Sequence, residues 1–394
     1  MSTLQPLTAP AQSQEGNNPN LYAGRLMCLD VFRGLLVAGM ILVDNGDDKS
    51  YWAVKHAEWN GWTPADFIFP SFLFLVGVSM VFSYSARMQR GESRAQILWH
   101  AFKRSLLLIA IGLFVNGFPF IGIDWHSFRF EGVTQRIALC YFVAAILVLW
   151  SNRRGQIIAI AACLLGYWAI LRFLPVPGFG MPGRDVPFMD QNGNIAAWLD
   201  RKLFLGHLYN GNRDPEGIIH TIPAVATTLI GVLTGSWLRS GRNHETVAIR
   251  MLFIGILGLV AGKVWNVWFP INKNLWTSSF VLFAGGFSLV FLAVLYWVLE
   301  IKQWRGAWTM PILVFGMNAI VGFVADAFVY GPGYSWTVKG AHGATILLHD
   351  AAQARLTALV ANPANAALMF SVASVLFCWL LLWLLWRKKV FLKV

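Results

Sequence analysis

The segment His56-Ala57-Glu58-Trp59-Asn60-Gly61-Trp62-Thr63-Pro64-Ala65-Asp66 sets one imidazole among carboxylates and indole rings, between two apolar runs of membrane length. Histidine titrates close enough to neutrality to take and return a proton at physiological pH, so proton-transfer chemistry is expected here. The competing reading makes His56 a solvated or capping side chain at a helix end. Ionisable residues inside apolar runs are the other candidates: Asp30, Arg33, Asp66, Arg136, Lys263 and Asp326. Each costs about 2.5–3.5 kcal/mol on insertion scales, so each needs a partner or a polar cavity. Asp30 and Arg33 stand three apart on one helical face and can neutralise each other. Arg136 and Lys263 have no acid nearby on their own helix, which calls for an anionic ligand or an interhelical carboxylate such as Asp326.

The elements that must position these residues are membrane helices. Of 394 residues, 57% are hydrophobic and only 13% charged, too little polar surface to cover a soluble globule of this size. Ten runs reach about the 20 residues that cross a bilayer as helix: 26–43, 63–85, 104–119, 133–150, 156–174, 218–238, 251–269, 276–299, 309–330 and 365–386. The expected fold is an all-α polytopic membrane protein of about ten transmembrane helices. Basic residues concentrate in the short connections holding Arg87 to Arg104, Arg153, Arg154, Arg239 to Arg250, Lys302 and Arg305, and after Arg387. That asymmetry puts both termini in the cytoplasm and His56 on the opposite side. The net charge of +12 is then a topology signal, and no nucleic-acid partner is expected.

Residues 1–24 have neither Lys, Arg nor an apolar centre and read as a disordered cytoplasmic tail, leaving 25–394 as one transmembrane domain. Cys28, Cys140, Cys163 and Cys378 fall within the spans without metal-type spacing and read as packing thiols. Two outer segments exceed the length of connectors, 175–217 and 331–364. The first contains an amphipathic stretch Ile195–Leu205; the second contains His342, His349, Asp350 and a surface stretch over 344–359. No inverted repeat or matched pair of discontinuous helices is visible. No phosphate loop, Walker signature or metal-ligand cluster is present in the sequence, so ATP, NAD and metal cofactors are not expected.

Leu29-Asp30-Val31-Phe32-Arg33-Gly34, the His56 to Asp66 segment and Phe69-Pro70 together resemble the signature of the transmembrane acetyltransferases related to heparan-α-glucosaminide N-acetyltransferase. Further motifs carry the resemblance over about residues 25–330. They are Gly132-Val-Thr-Gln-Arg136-Ile-Ala-Leu, Asp200-Arg201 with Gly206-His207-Leu-Tyr209, Asp214-Pro-Glu216-Gly, Asn272-Lys273-Asn274-Leu-Trp276-Thr-Ser and Gly316-Met-Asn318-Ala. The resemblance implies transfer of acetyl from cytosolic acetyl-CoA, as co-substrate, to an amino sugar or glucosamine-containing oligosaccharide on the far side of the membrane. It makes His56 the catalytic histidine and Asn45 the asparagine eleven positions earlier. Lysosomal members carry an additional luminal region and leading span, so the short polar tail points to a bacterial form in the inner membrane, with His56 toward the periplasm.

A thioester carbonyl needs an attacking amine that has lost its proton, and His56 is expected either to take that proton or to carry the acetyl group transiently. Asn45 is expected to orient the ring or to donate to the oxyanion. Asp44 is the acid expected beside them, whereas Asp47 and Asp48 can equally be solvated loop charges. Asp214 and Glu216 are expected to contact the sugar, Trp59, Trp62 and Trp276 to stack on it or to serve as interfacial anchors, and Asn60, Asp66 and Lys273 to complete the acceptor site. Arg33, Arg104, Arg136, Arg239 and Lys263 form the pool for the phosphates of coenzyme A on the cytoplasmic half. A secondary transporter of amino sugars and an O-acetyltransferase of envelope glycan are the alternatives. Membrane lipid and a second copy of the chain are the remaining expected partners.

Overall fold

The computed structural model describes residues 26–121, 123–340 and 344–392. The expected tail and His342 lie outside the described residues. The rest is an all-α polytopic membrane bundle: α1 (Met27–Asp44), α2 (Ile68–Gln89), α3 (Arg94–Gly117), α4 (Val133–Trp150), α5 (Arg153–Phe173), α6 (Ile195–Leu203), α7 (Ile218–Leu238), α8 (His244–Trp265), α9 (Ser278–Tyr296), α10 (Thr309–Met317), α11 (Ala319–Ser335), α12 (Leu348–Val360) and α13 (Pro363–Arg387). By length and composition, eight helices among the described residues can cross a membrane, and nine if α10 and α11 count as one span. The 18-residue α1 carries Asp30, Arg33 and Asp44, and it packs as part of the same bundle.

One expected span is corrected. The apolar run 309–330 is two helices meeting at 88°, broken at Asn318. Asn318 terminates α10 with φ −127° and ψ 44°, and its amide is tied to the chain's end through Val390 O and the Leu392 N–H. The break lets α10 pack closely on α1 at Asp30 and Gly34 while α11, turned by 88°, delivers Asp326 to Asn45.

Two glycines explain why α10 and α1 approach so closely. A Cβ on Gly34 would strike the carbonyl of Ile312, and one on Gly316 would strike the carbonyl of Asp30. Backbones touch on both sides of the crossing, the close approach that small residues allow between membrane helices. Gly316→Ala is therefore expected to destabilise the protein by about 1–3 kcal/mol through overpacking, read as a lower unfolding midpoint in detergent. An unchanged midpoint would contradict this packing.

The outer segments carry local order. Asn194 caps α6 by accepting from the Ala197 N–H at 2.9 Å, and the observed helix ends two residues before the expected Leu205. Thr337–Lys339 and Thr345–Leu347 pair as two short antiparallel strands, with Thr337 opposite Leu347, and the second leads into α12 over most of the expected surface stretch.

Candidate active site

The site begins with a turn that the sequence encodes locally. Thr63 is extended and is followed by Pro64, whose missing N–H costs nothing at a helix start. Three residues on, Asp66 folds back so that Oδ2 accepts from the backbone N–H of Thr63 at 2.9 Å and of Ala57 at 3.1 Å. The Thr63 hydroxyl donates to Lys55 O at 2.5 Å, fixing the loop that carries His56. With Oδ2 satisfied, the fully buried Asp66 presents Oδ1 to His56 Nδ1 at 2.8 Å. An ionised carboxylate only accepts, so Nδ1 carries the proton and Nε2 keeps its lone pair. The His56 side chain remains 44% exposed, open to a reactant.

A second loop brings a cation to this pair. Asn272 accepts from the Leu275 N–H and donates to Asn60 Oδ1 at 3.2 Å, while the Gly61 N–H donates to Ile271 O at 2.8 Å. These bonds lock residues 271–277 against the His56 loop. Lys273 Nζ then lies 3.0 Å from Nδ1 and 3.1 Å from Nε2, with Asp66 Oδ1 at 3.6 Å. A point equidistant from both ring nitrogens lies off either lone pair, so the ammonium leaves Nε2 available. Burial pushes the Lys273 ammonium below the ordinary lysine pKa, against the opposing pull of Asp66, Glu216 and Asp44. His56 opens into a cavity of about 1750 Å³ whose wall includes Asp44, Asn60, Trp62, Asp326 and Tyr330.

An exposed imidazole seated on a buried carboxylate, a nearby ammonium and a cavity of sugar-accommodating size suit acyl transfer, and comparison with known proteins gives the lineage. The family described as heparan-alpha-glucosaminide N-acetyltransferase, catalytic, matches residues 25–263. The chain belongs to that family. Its similar relatives include the heparan-alpha-glucosaminide N-acetyltransferases of Mus musculus and Homo sapiens, each 32% identical. The alignments cover 100% and 94% of this chain but 64% and 60% of the relatives, so the chain spans less than two thirds of their length. Lys273 lies beyond the family match.

Within the family match, several expected site residues sit elsewhere than anticipated. Orientation of the His56 ring falls to Asp66. Asn45 caps the end of α1, and its amide nitrogen donates to Ile41 O at 2.9 Å and Asp326 Oδ1 at 2.6 Å, which uses both of its hydrogens. Asp214 and Glu216 are taken by Arg129, with the guanidinium donating to both Asp214 oxygens at 2.7 and 2.6 Å and also to Glu216. Arg129 stacks on Tyr209 and lines the cavity, so it carries this acidic pair to the wall. Its sequence neighbourhood offered only a loop arginine next to the Gly132 motif.

The aromatic and basic candidates divide similarly. Trp62 lines the cavity, whereas Trp59 donates its indole N–H to Met189 O beneath Arg213. Trp276 is fully buried, wedged against Phe69 and Phe280, and cannot stack on a sugar. Arg136 lies over Trp276 and donates to Gly217 O at 3.2 Å, and Lys263 lies over Trp62; both therefore sit at the His56 end of the bundle, not on the opposite half. Arg33 bonds Asp30 at 2.9 Å and Ser79 at 3.2 Å, Arg104 covers Tyr141, and Arg239 donates to Val81 O, all toward the other end.

Behind Arg129 lies a buried acidic group that sequence reasoning missed as a unit. Burial pushes the Asp200 carboxyl up to about 7, helped by Asp214, and the Glu131 carboxyl up to about 8, helped by Asp200 and Asp214. For Asp214 burial acts upward too, but the bonds and charge of Arg129 outweigh it and hold the group below the ordinary carboxylate range. A carboxyl raised in the folded state is favoured protonated, so stability is lost as pH rises from about 4, the unfolded value, through about 8. Asp214 acts in the opposite sense, but only below about pH 4. The thermal midpoint in detergent is therefore expected to fall between pH 5 and pH 8.5, and Asp200→Asn to flatten that slope. A midpoint that rises over this range would contradict the assignment.

Proposed function

We propose that this chain transfers the acetyl group of acetyl-CoA to the amine of a glucosamine-type sugar. The observation that carries the reading is His56 Nε2, held free by the Nδ1 bond to buried Asp66 and flanked by Lys273, at the wall of a large cavity. The relatives named for N-acetyl transfer to a glucosaminide support the same chemistry.

His56 Nε2 takes a proton from the amine as its nitrogen attacks the thioester carbonyl. The carbon–sulfur bond breaks and the imidazolium returns the proton to the thiolate, so base and acid are one residue. Asp66 stabilises the imidazolium between these steps. Lys273 is the donor placed to meet charge developing on the carbonyl oxygen, a contribution of about 2.7–4 kcal/mol where a single such donor has been removed. In this reading both termini and the coenzyme are cytoplasmic and the sugar cavity faces outward, which the concentration of basic residues in the connections away from His56 supports.

The test is acetyl transfer by the purified, detergent-solubilised protein from radiolabelled acetyl-CoA to glucosamine. Labelled N-acetylglucosamine is the expected product. Absence of transfer to every amino sugar offered, together with sugar uptake into vesicles containing the protein, would replace the enzyme with a transporter.

A further inference from the structure

The bundle has a second recess, on its flank. A groove of about 720 Å³ runs between α8, α9 and the turn at Pro64, and Trp62 lines both this groove and the His56 cavity. Val260 and Val264 form its α8 edge and are exposed on a helix long and apolar enough to cross the membrane, so the groove opens toward lipid. Of the residues lining it, Lys263 alone is ionisable, and Leu259, Phe67, Phe283 and Phe287 supply an apolar floor.

The position of that one cation is informative. A lysine that merely anchors the end of a span extends its ammonium away from apolar surface into water. Lys263 instead lies back over Trp62 and Phe283, 5.2 Å from each ring centre. No carboxylate lines the groove, and among the described residues none forms an ion pair with it. The depth of the ammonium matches a lipid headgroup. Lys263 is two residues, about 3 Å, from the end of α8, and the exposed indole of Trp268 follows it at the level where aromatic belts form. Phe287 lies nine residues, about 13 Å, inside α9, so the floor descends from the interface toward the hydrocarbon centre.

We infer that the groove binds an anionic phospholipid of the leaflet on the His56 side, with its phosphate on Lys263 and one acyl chain against Leu259 and Phe287. A zwitterionic headgroup brings a cation of its own and leaves Lys263 without net counter-charge, whereas an anionic headgroup supplies it. The bound lipid also supports Trp62 from the membrane side. Trp62 packs on Phe67 and Phe283 at the groove and forms part of the His56 cavity wall behind it. Occupancy of the groove therefore acts on acceptor binding, a step that rests on the acetyltransferase reading above.

The test uses the purified full-length protein. Retention of phosphatidylglycerol against phosphatidylcholine of the same acyl chains is measured by native mass spectrometry, and acetyl transfer is measured in phosphatidylcholine nanodiscs with and without phosphatidylglycerol. The wild type is expected to prefer phosphatidylglycerol by about five-fold, the attraction one basic residue exerts near an anionic surface. Lys263→Gln is expected to remove the preference and Lys263→Arg to keep it, since a guanidinium also pairs with phosphate. Val264→Trp, at an exposed position, fills the groove and is expected to lower retention of both lipids. Phosphatidylglycerol is expected to lower KM for glucosamine several-fold in the wild type and to leave it unchanged in Lys263→Gln. Equal retention of the two lipids, or a preference that survives Lys263→Gln, overturns the inference. So does a Val264→Trp variant that turns a dimer into a monomer while holding both lipids, because the groove is then a contact between two copies of the chain. Selective retention with the same KM in both nanodiscs keeps the lipid site and removes the link through Trp62. Selective retention by a protein that acetylates no amine keeps the lipid site and removes the acetyltransferase reading instead.

Discussion

His56→Ala is expected to lower acetyl transfer to glucosamine by about 10²–10⁴-fold, the range that a positioned general base contributes. The loss should fall on kcat, with little change in the affinity for either substrate, because the ring contacts Asp66 and Lys273 and leaves the cavity wall otherwise intact. Folding is not at risk, since the side chain is 44% exposed and no core packing depends on it. Free imidazole added at tens of millimolar is expected to restore part of the rate, because the vacated space opens onto a cavity of about 1750 Å³. The measurement is label transfer with the unfolding midpoint recorded beside it. Full activity at an unchanged midpoint would remove His56 from the chemistry and with it the proposed mechanism.

The membrane bundle was legible in the sequence because length and hydropathy alone decide whether a segment can cross a bilayer. What hydropathy does not register is a break whose two halves are both apolar. Asn318 interrupts such a run, and the only local cue was a Gly-Met-Asn triplet that resembled a family motif without revealing its geometry. The His56 loop was legible in part. Spacing of three from Thr63 to Asp66, with Pro64 between, is a helix-start pattern, and once that turn forms the aspartate is aimed back at the loop before it. Lys273 was expected at the acceptor site but not against His56, because that approach crosses 217 residues of sequence and depends on the Asn272 to Asn60 bond. Asp214, Glu216 and Trp276 looked like sugar ligands because polar and aromatic residues in outer segments are the usual ones. Arg129 and the buried ring packing claim them instead, and long-range pairing of that kind has no local signature.

Asp66→Asn separates the role of the carboxylate's charge from the role of its shape. The amide is nearly isosteric, and its oxygen can still accept from the Thr63 and Ala57 N–H groups, so the turn survives. That places the NH₂ group toward His56 Nδ1, where the carboxylate oxygen sat at 2.8 Å. An NH₂ donates, so Nδ1 must now accept, the ring proton moves to Nε2, and the lone pair no longer faces the acceptor amine. The imidazolium also loses the negative charge that stabilised it. Acetyl transfer is expected to fall by roughly 10³-fold or more, as it does when the equivalent change is made in a Ser-His-Asp triad. KM for acetyl-CoA should hold and the unfolding midpoint should move little. Asp66→Ala, by contrast, strips the acceptor from the buried Thr63 N–H and the half-buried Ala57 N–H as well and is expected to lower both rate and midpoint, at about 1–3 kcal/mol for the buried group left unmet. An asparagine variant with wild-type kcat would show that neither tautomer nor charge matters, leaving Asp66 as a purely structural cap.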